Sequence, residues 1–148
     1  MRYMGDFQLT KTQREIDCVY FILQTLHHHK ELIDEIYCQL MKQTTNNKST
    51  NFDSCQKGWR LMSILCAYFK ATDKLKPYLF KYLENNAYDT QRPFNGKNFL
   101  NERFIKKLLI IYLCKAIAQI SFTSLLKTYK YGGRRNVPSQ IELDSLSV

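Results

Sequence analysis

Three prolines and five glycines are too few for a collagen-like or low-complexity chain, and apolar residues at 45% argue against global disorder. Cysteine does not organise the chain either. The five, Cys18, Cys38, Cys55, Cys66 and Cys114, are odd in number and none sit in CxxC spacing. That speaks against a disulfide framework and a zinc knuckle, and points to free thiols in a reducing, cytosolic setting. Long apolar runs are also missing. The unbroken run Leu108–Cys114 falls short of the ~20 residues a spanning helix needs. The longer, mostly apolar stretch 108–126 carries Lys115, Gln119, Ser121, Thr123 and Ser124, and a central lysine costs about 2.5–3.5 kcal/mol to insert. A buried or interfacial helix is the expectation there. No apolar segment of signal-peptide type follows the N-terminus. Gly-rich phosphate loops, HExxH and GxSxG are absent, so no catalytic residue, cofactor site or metal site is predicted and the chain is read as a non-enzyme.

Acidic residues are scarce in one region. The net charge is +9, and between Lys97 and Arg135 nine basic residues face the single acid Glu102. Such asymmetry suits an acidic partner, whether protein, nucleic acid or anionic membrane. Histidine offers little. His27, His28 and His29 are consecutive, so on a helix they diverge by about 100° each and cannot chelate one ion. They read as a polar helix end near the negative dipole terminus. Cys18 lies some 13–17 Å along the same helix from them, too far for a nucleophile and its base.

What is present is helical periodicity, and the 148 residues suit a single domain, 1–148. Ile16, Val19, Tyr20, Leu23 and Leu26 form one stripe over 12–28, with Thr12 and Glu15 as an expected capping box. A second helix is expected from Glu31 to Thr45, with acids crowding its first turn. A third begins near Ser54 and carries Trp59, expected in the core. A fourth begins with Asp73 as N-cap and Pro77 in its first turn. The chain then reads as turn from Asn85 to Gly96. A long helix is expected from Asn98 to Tyr129, with a break near Ser121. Gly132-Gly133 stops it, and 136–148 is a short C-terminal tail. The fold class is all-α, a compact multi-helix bundle.

Basic residues mark the candidate partner-binding surface. Lys127, Lys130, Arg134 and Arg135 surround Tyr129 and Tyr131, and aromatics interleaved with cations can grip phosphates or acidic protein surfaces. Lys74, Lys76 and Lys81 form a second group with Lys70 nearby, Lys74 and Lys81 being placed on one helix face.

The chain carries, in order, Tyr3-Met4-Gly5-Asp6, then Asp34-Glu35-Ile36-Tyr37-Cys38-Gln39-Leu40-Met41-Lys42-Gln43-Thr44-Thr45-Asn46, then Gly58-Trp59-Arg60-Leu61. Leu125-Leu126-Lys127-Thr128, Gly132-Gly133-Arg134-Arg135 and Pro138-Ser139-Gln140-Ile141-Glu142 follow. Together these motifs closely resemble the myosin tail homology 4 domain. The run Asp53–Leu61 with Ala67-Tyr68 looks most like the class fifteen unconventional myosins. The resemblance implies a non-catalytic, cytoplasmic, cytoskeleton-associated interaction module of an unconventional myosin tail. Such a module binds cargo or cytoskeletal proteins beside a FERM domain, and some members bind microtubules through a basic surface helix. Here 74–86 corresponds to that helix, with Lys76 as the matched position. Glu84 departs from the basic pattern. A module binding nucleic acid or anionic membrane is the alternative. The resemblance makes Gly5, Asp6, Glu35, Tyr37, Gln39, Gln43, Gly58, Trp59, Pro138 and Ser139 motif residues, read as mainly structural. Asp6 and Glu35 are expected to cap backbone groups or pair with a base. Two departures stand out. The family carries helical sequence before Tyr-Met-Gly-Asp, so the chain reads as N-terminally truncated. Residues 96–120 match nothing in the family pattern and read as an insertion or a product of how the coding sequence was assembled.

Overall fold

The computed structural model describes residues 3–5, 8–10, 12–49, 51, 53–88, 102–139 and 141–143. In the last helix it describes the side chains of residue 106 and from 108 onward. Five α-helices follow in chain order: α1 Glu15–His28, α2 Ile33–Thr44, α3 Ser54–Tyr68, α4 Lys76–Tyr88 and α5 Glu102–Tyr131. A 3₁₀ turn, Lys30–Leu32, joins the first two. No strand occurs among the described residues.

The apolar stripes become the core. Val19 and Leu23 of α1, Tyr37 and Leu40 of α2, Leu61 and Leu65 of α3, Leu79 and Leu83 of α4, and Ala118 and Leu125 of α5 are all buried. Helix α3 is central, packing against α2 and α5, while α4 lies along α5. Gly58 marks the tight crossing. A Cβ there would press on Met4 Cε and Thr44 Cγ2 at 2.8 Å, so glycine lets α3 lie this close to α2 without displacing those side chains. Trp59 is buried next to it and stacks on Tyr82 of α4, with ring centroids 5.7 Å apart and planes 8° off parallel. The Tyr82 hydroxyl meets Thr44 Oγ1 at 2.6 Å, tying α4 to α2.

Several local expectations are corrected. Helix α1 starts at Glu15 rather than Thr12. Its end is closed by Asp17, whose Oδ2 accepts the Arg14 backbone N–H at 2.8 Å. Helix α4 starts at Lys76, not at Asp73. The carbonyl of Thr72 accepts N–H bonds from Leu75 at 3.1 Å and Lys76 at 2.9 Å, so 73–75 form a turn. Lys74 therefore precedes the helix and does not share a face with Lys81. At the other end α4 runs on to Tyr88, through a stretch read as turn, because Ala87 is fully buried. Residues 89–101 lie outside the described residues. Helix α5 passes through Ser121 unbroken; Ser121 is buried and its hydroxyl donates to the Ile117 carbonyl at 2.8 Å, inside its own helix. Asn46, with φ +48°, turns the chain out of α2, a left-handed position that asparagine tolerates.

The tail is part of the fold. Pro138 is buried. The Ser139 hydroxyl accepts the Glu142 N–H at 3.3 Å, and its carbonyl accepts the Leu143 N–H at 3.1 Å. This turn delivers Leu143 fully into the core.

Candidate partner-binding surface

The chain between α3 and α4 is held from two sides. Asp34, in the first turn of α2, accepts the Thr72 backbone N–H on Oδ1 at 2.9 Å and the Thr72 hydroxyl on Oδ2. The Tyr129 hydroxyl of α5 donates to the Ala71 carbonyl at 2.6 Å. These anchors set the lysines of this segment around the Tyr129 ring. Lys76 Nζ stands 4.6 Å and Lys70 Nζ 5.8 Å from its centroid. Each cation over an aromatic face contributes about 0.5–1 kcal/mol when exposed. Burial raises the Tyr129 pKa, and the charges of Asp73 and Asp34 raise it further, so the ring is neutral and hydrogen-bonded at physiological pH. Lys127 and Lys130, flanking it on α5, are exposed, and Lys130 Nζ lies 4.9 Å over the Tyr131 ring. Leu126, Lys127, Tyr129, Lys130 and Tyr131 line a shallow open depression. Of the predicted lysines, Lys76 is placed at the Tyr129 ring, joined by Lys70, while Lys127 and Lys130 border the depression on α5.

The remaining basic positions divide. Lys81 is paired with Glu84 at 3.1 Å on the exposed side of α4. Arg135 is exposed. Arg134 is drawn into the fold. Its Nη1 donates to Glu142 Oε1 at 2.7 Å and to the Tyr68 hydroxyl at 3.3 Å, its guanidinium lies 5.4 Å over the Tyr68 ring, and its backbone N–H donates to the Ala67 carbonyl at 3.3 Å. The hydrogen bond to Tyr68 raises the Arg134 pKa, and its charge is committed to binding the tail to α3.

Of the described motif residues, Tyr37, Gly58, Trp59 and Pro138 are buried, Gln39 and Gln43 half-buried, and Gly5, Glu35 and Ser139 exposed. Gly5 has φ +80°, and a Cβ there would collide with the Asn51 side chain. Asp6 lies outside the described residues. Glu35 accepts from the Gln39 side chain at 2.7 Å, one turn away on an exposed face, rather than capping backbone or pairing with a base. The backbone-binding acid of this motif is its neighbour Asp34. Its early position in α2 was legible, but its partner lies 38 residues away. Gln43 offers its carbonyl to Asn47 Nδ2 at 2.9 Å. His29 pairs with Glu31 at 3.1 Å, which lowers the pKa of Glu31 after the effect of its own backbone hydrogen bond. Among the described residues no three His, Cys, Asp or Glu side chains gather as a metal site.

Tyr37 is fully buried beside Cys66 and donates to the Phe69 carbonyl at 2.9 Å. Burial raises the Tyr37 pKa well above its ordinary value and pushes the Cys66 thiol up to about 12. Burial likewise raises Tyr3 to about 12. In the unfolded chain the thiol loses its proton near 9.0 and tyrosines near 10.0, while the folded chain keeps them. The unfolded state then binds fewer protons, so stability falls as pH rises. We expect urea midpoints to decline from about pH 9 upward. Cys66→Ala, though less stable overall, should move the onset toward about pH 10, the tyrosine value. An onset unmoved by the substitution would contradict the assignment.

The fold and this surface define a helical scaffold presenting lysines and aromatics. The family model described as MyTH4 domain matches residues 19–145. Human unconventional myosin-XV is 36% identical over 146 residues, covering 99% of this chain and 4% of that protein. Human unconventional myosin-XVB is 31% identical over 143 residues, covering 97% of this chain and 4% of its own length. The chain thus spans a small part of the curated relatives it matches. Among solved structures, a mutant of the Dictyostelium discoideum myosin VII MyTH4-FERM MF1 domain superposes with a TM-score of 0.68 at 31% identity, over 97% of this chain and 26% of that one. The chain belongs to the MyTH4 domain family, a tail module of unconventional myosins.

Proposed function

We propose that this chain is a non-catalytic protein-interaction module that binds acidic surfaces of cargo or cytoskeletal proteins, microtubules included. In this reading Lys70, Lys74, Lys76, Lys127 and Lys130 form the contact surface around Tyr129. The observation that carries it is the placement of Lys70 and Lys76 over one ring, beside a depression edged by Lys127 and Lys130. Cations held over aromatics keep their charge while losing less rotamer freedom on binding. The family, together with solved neighbours that are MyTH4-FERM structures, supports a cytoplasmic, cytoskeleton-associated role beside a FERM domain in a longer chain. Gly5, Glu35, Tyr37, Gln39, Gln43, Gly58, Trp59, Pro138 and Ser139 then serve the scaffold rather than the contact.

Cosedimentation of residues 1–148 with microtubules tests this reading. The wild-type chain should pellet, and the Lys70→Gln/Lys76→Gln/Lys127→Gln/Lys130→Gln variant should bind about tenfold or more weakly, with affinity falling as salt rises. Equal binding by the two proteins, or no retention of the wild type on microtubules or on polyglutamate, would overturn it.

A further inference from the structure

Thr72 is the hub of the junction between α3 and α4. Its backbone N–H donates to Asp34 Oδ1 at 2.9 Å, and its hydroxyl donates to the other oxygen of that carboxylate. Its carbonyl accepts the N–H groups of Leu75 and Lys76, which lead into α4. One residue thus ties α2 to the segment that brings Lys70 and Lys76 to the Tyr129 ring. Thr72 is itself exposed, and residues 69–72 belong to no helix. The hydrogen bonds of Asp34 and Tyr129 hold this stretch. It has no helical ladder to melt, so it can open locally while the bundle stays folded. An exposed hydroxyl on such a stretch can enter the cleft of a protein kinase. The exposed Thr45 and Thr123, by contrast, donate their hydroxyls to carbonyls one helical turn back, at 2.7 and 2.9 Å. Lys70 stands two residues before Thr72, Lys74 two after and Lys76 four after. A kinase with acids lining its substrate groove is complementary to such flanking cations.

We propose that Thr72 is a phosphorylation site whose phosphate switches the lysine surface off. The switch rests on that surface being the one that meets acidic partners. A serine/threonine kinase transfers the γ-phosphoryl group of ATP to Thr72 Oγ1. The Oγ1–P bond forms and the bond from the γ-phosphorus to the β–γ bridging oxygen breaks. ADP leaves, and the hydroxyl proton passes to the catalytic base of the kinase. The product has no hydroxyl left to donate to Asp34. It sets a charge of about −1.5 to −2 against that carboxylate, with Asp73 next in the chain. A hydrogen bond becomes a repulsion, so 69–76 is pushed off α2 and the start of α4 loosens. The same charge lies within four residues of Lys70, Lys74 and Lys76 and offsets most of theirs. Both effects weaken the hold on an acidic partner.

The test starts by labelling residues 1–148 with the catalytic domain of protein kinase C, ATP and Mg²⁺, followed by mass-spectrometric mapping. Phosphate should appear on Thr72 and be lost from that site in Thr72→Val. No phosphate, or phosphate confined to other residues, would overturn the site. Protein purified with phosphate on Thr72 alone is then compared with the unmodified chain. Amide exchange at Leu75 and Lys76 should quicken at least about tenfold, while Leu23 and Leu65 in the core keep their rates. Asp34→Asn, which removes the facing charge, should blunt that acceleration at least about threefold. Polyglutamate binding should weaken at least about tenfold on phosphorylation. Exchange unchanged by the phosphate, or quickened throughout the core, would overturn the switch. So would undiminished binding in a chain that does bind polyglutamate. An unmodified chain that binds no polyglutamate would fail the lysine surface itself, and exchange at Leu75 and Lys76 then decides alone whether the phosphate releases the junction.

Discussion

Gly133→Ala is expected to lower stability by about 3 kcal/mol or more, about twice the effect of the same change one residue earlier. A Cβ on Gly133 would run into the backbone carbonyl of Tyr68 at the end of α3. Backbone cannot rotate aside as a side chain can, so the chain after α5 must move off α3. That movement strains the Arg134 N–H bond to Ala67 and lifts the guanidinium from Tyr68 and Glu142. Overpacking of about 1–3 kcal/mol and hydrogen bonds of about 1 kcal/mol each add to the figure. Gly132 differs in kind. Its φ is +94° with open space around the would-be Cβ, so Gly132→Ala costs only backbone strain of about 1–2 kcal/mol. Thermal unfolding separates the two. At about 2–4 °C per kcal/mol, Gly133→Ala should drop Tm by about 10 °C and Gly132→Ala by about half of that. Equal shifts would mean that the two helices are not in backbone contact there.

Trp59→Ala should cost about 3–5 kcal/mol, a large share of the 5–15 kcal/mol that holds a domain folded. The indole is buried between α3 and α4 and stacks on Tyr82, which in turn reaches Thr44 of α2. Losing it opens a cavity where three helices meet. In a double-mutant cycle with Tyr82→Ala, the coupling between the two rings should be about 0.5–1.5 kcal/mol, the contribution of the stack beyond area burial. Urea unfolding of the four proteins gives both numbers, and a coupling near zero would mean the stacking adds nothing beyond burial.

The helices were legible because their apolar residues recur every three or four positions: Leu23, Leu40, Leu65 and Leu79 all sit on such stripes and all are buried. Trp59 in the core and the helix stop at Gly132 followed from local chemistry as well. What the sequence did not disclose depends on partners far along the chain. Asp34 looks like any acid in a first turn until Thr72 is brought to it. Arg134 reads as a free cation until Glu142 and Tyr68 close on it. Leu143 sits in a short alternating tail that carries no mark of its burial. The start of α4 was misplaced because Asp73 has the composition of a cap, while the turn is made by the Thr72 carbonyl. For the candidate surface, the lysines were visible in the sequence but their shared aromatic was not, since Tyr129 lies 53 residues from Lys76 and stacks with it only after α5 has packed against α4.

The central claim is that an acidic partner meets the lysines around Tyr129. Its most direct test is an amide chemical-shift titration of residues 1–148 with polyglutamate as the probe. The account predicts salt-sensitive shifts concentrated at Lys70, Lys74, Lys76, Lys127 and Lys130, and at the Tyr129 amide between them. Shifts concentrated instead at Lys42 and Lys48, or spread evenly over every lysine of the chain, would contradict it.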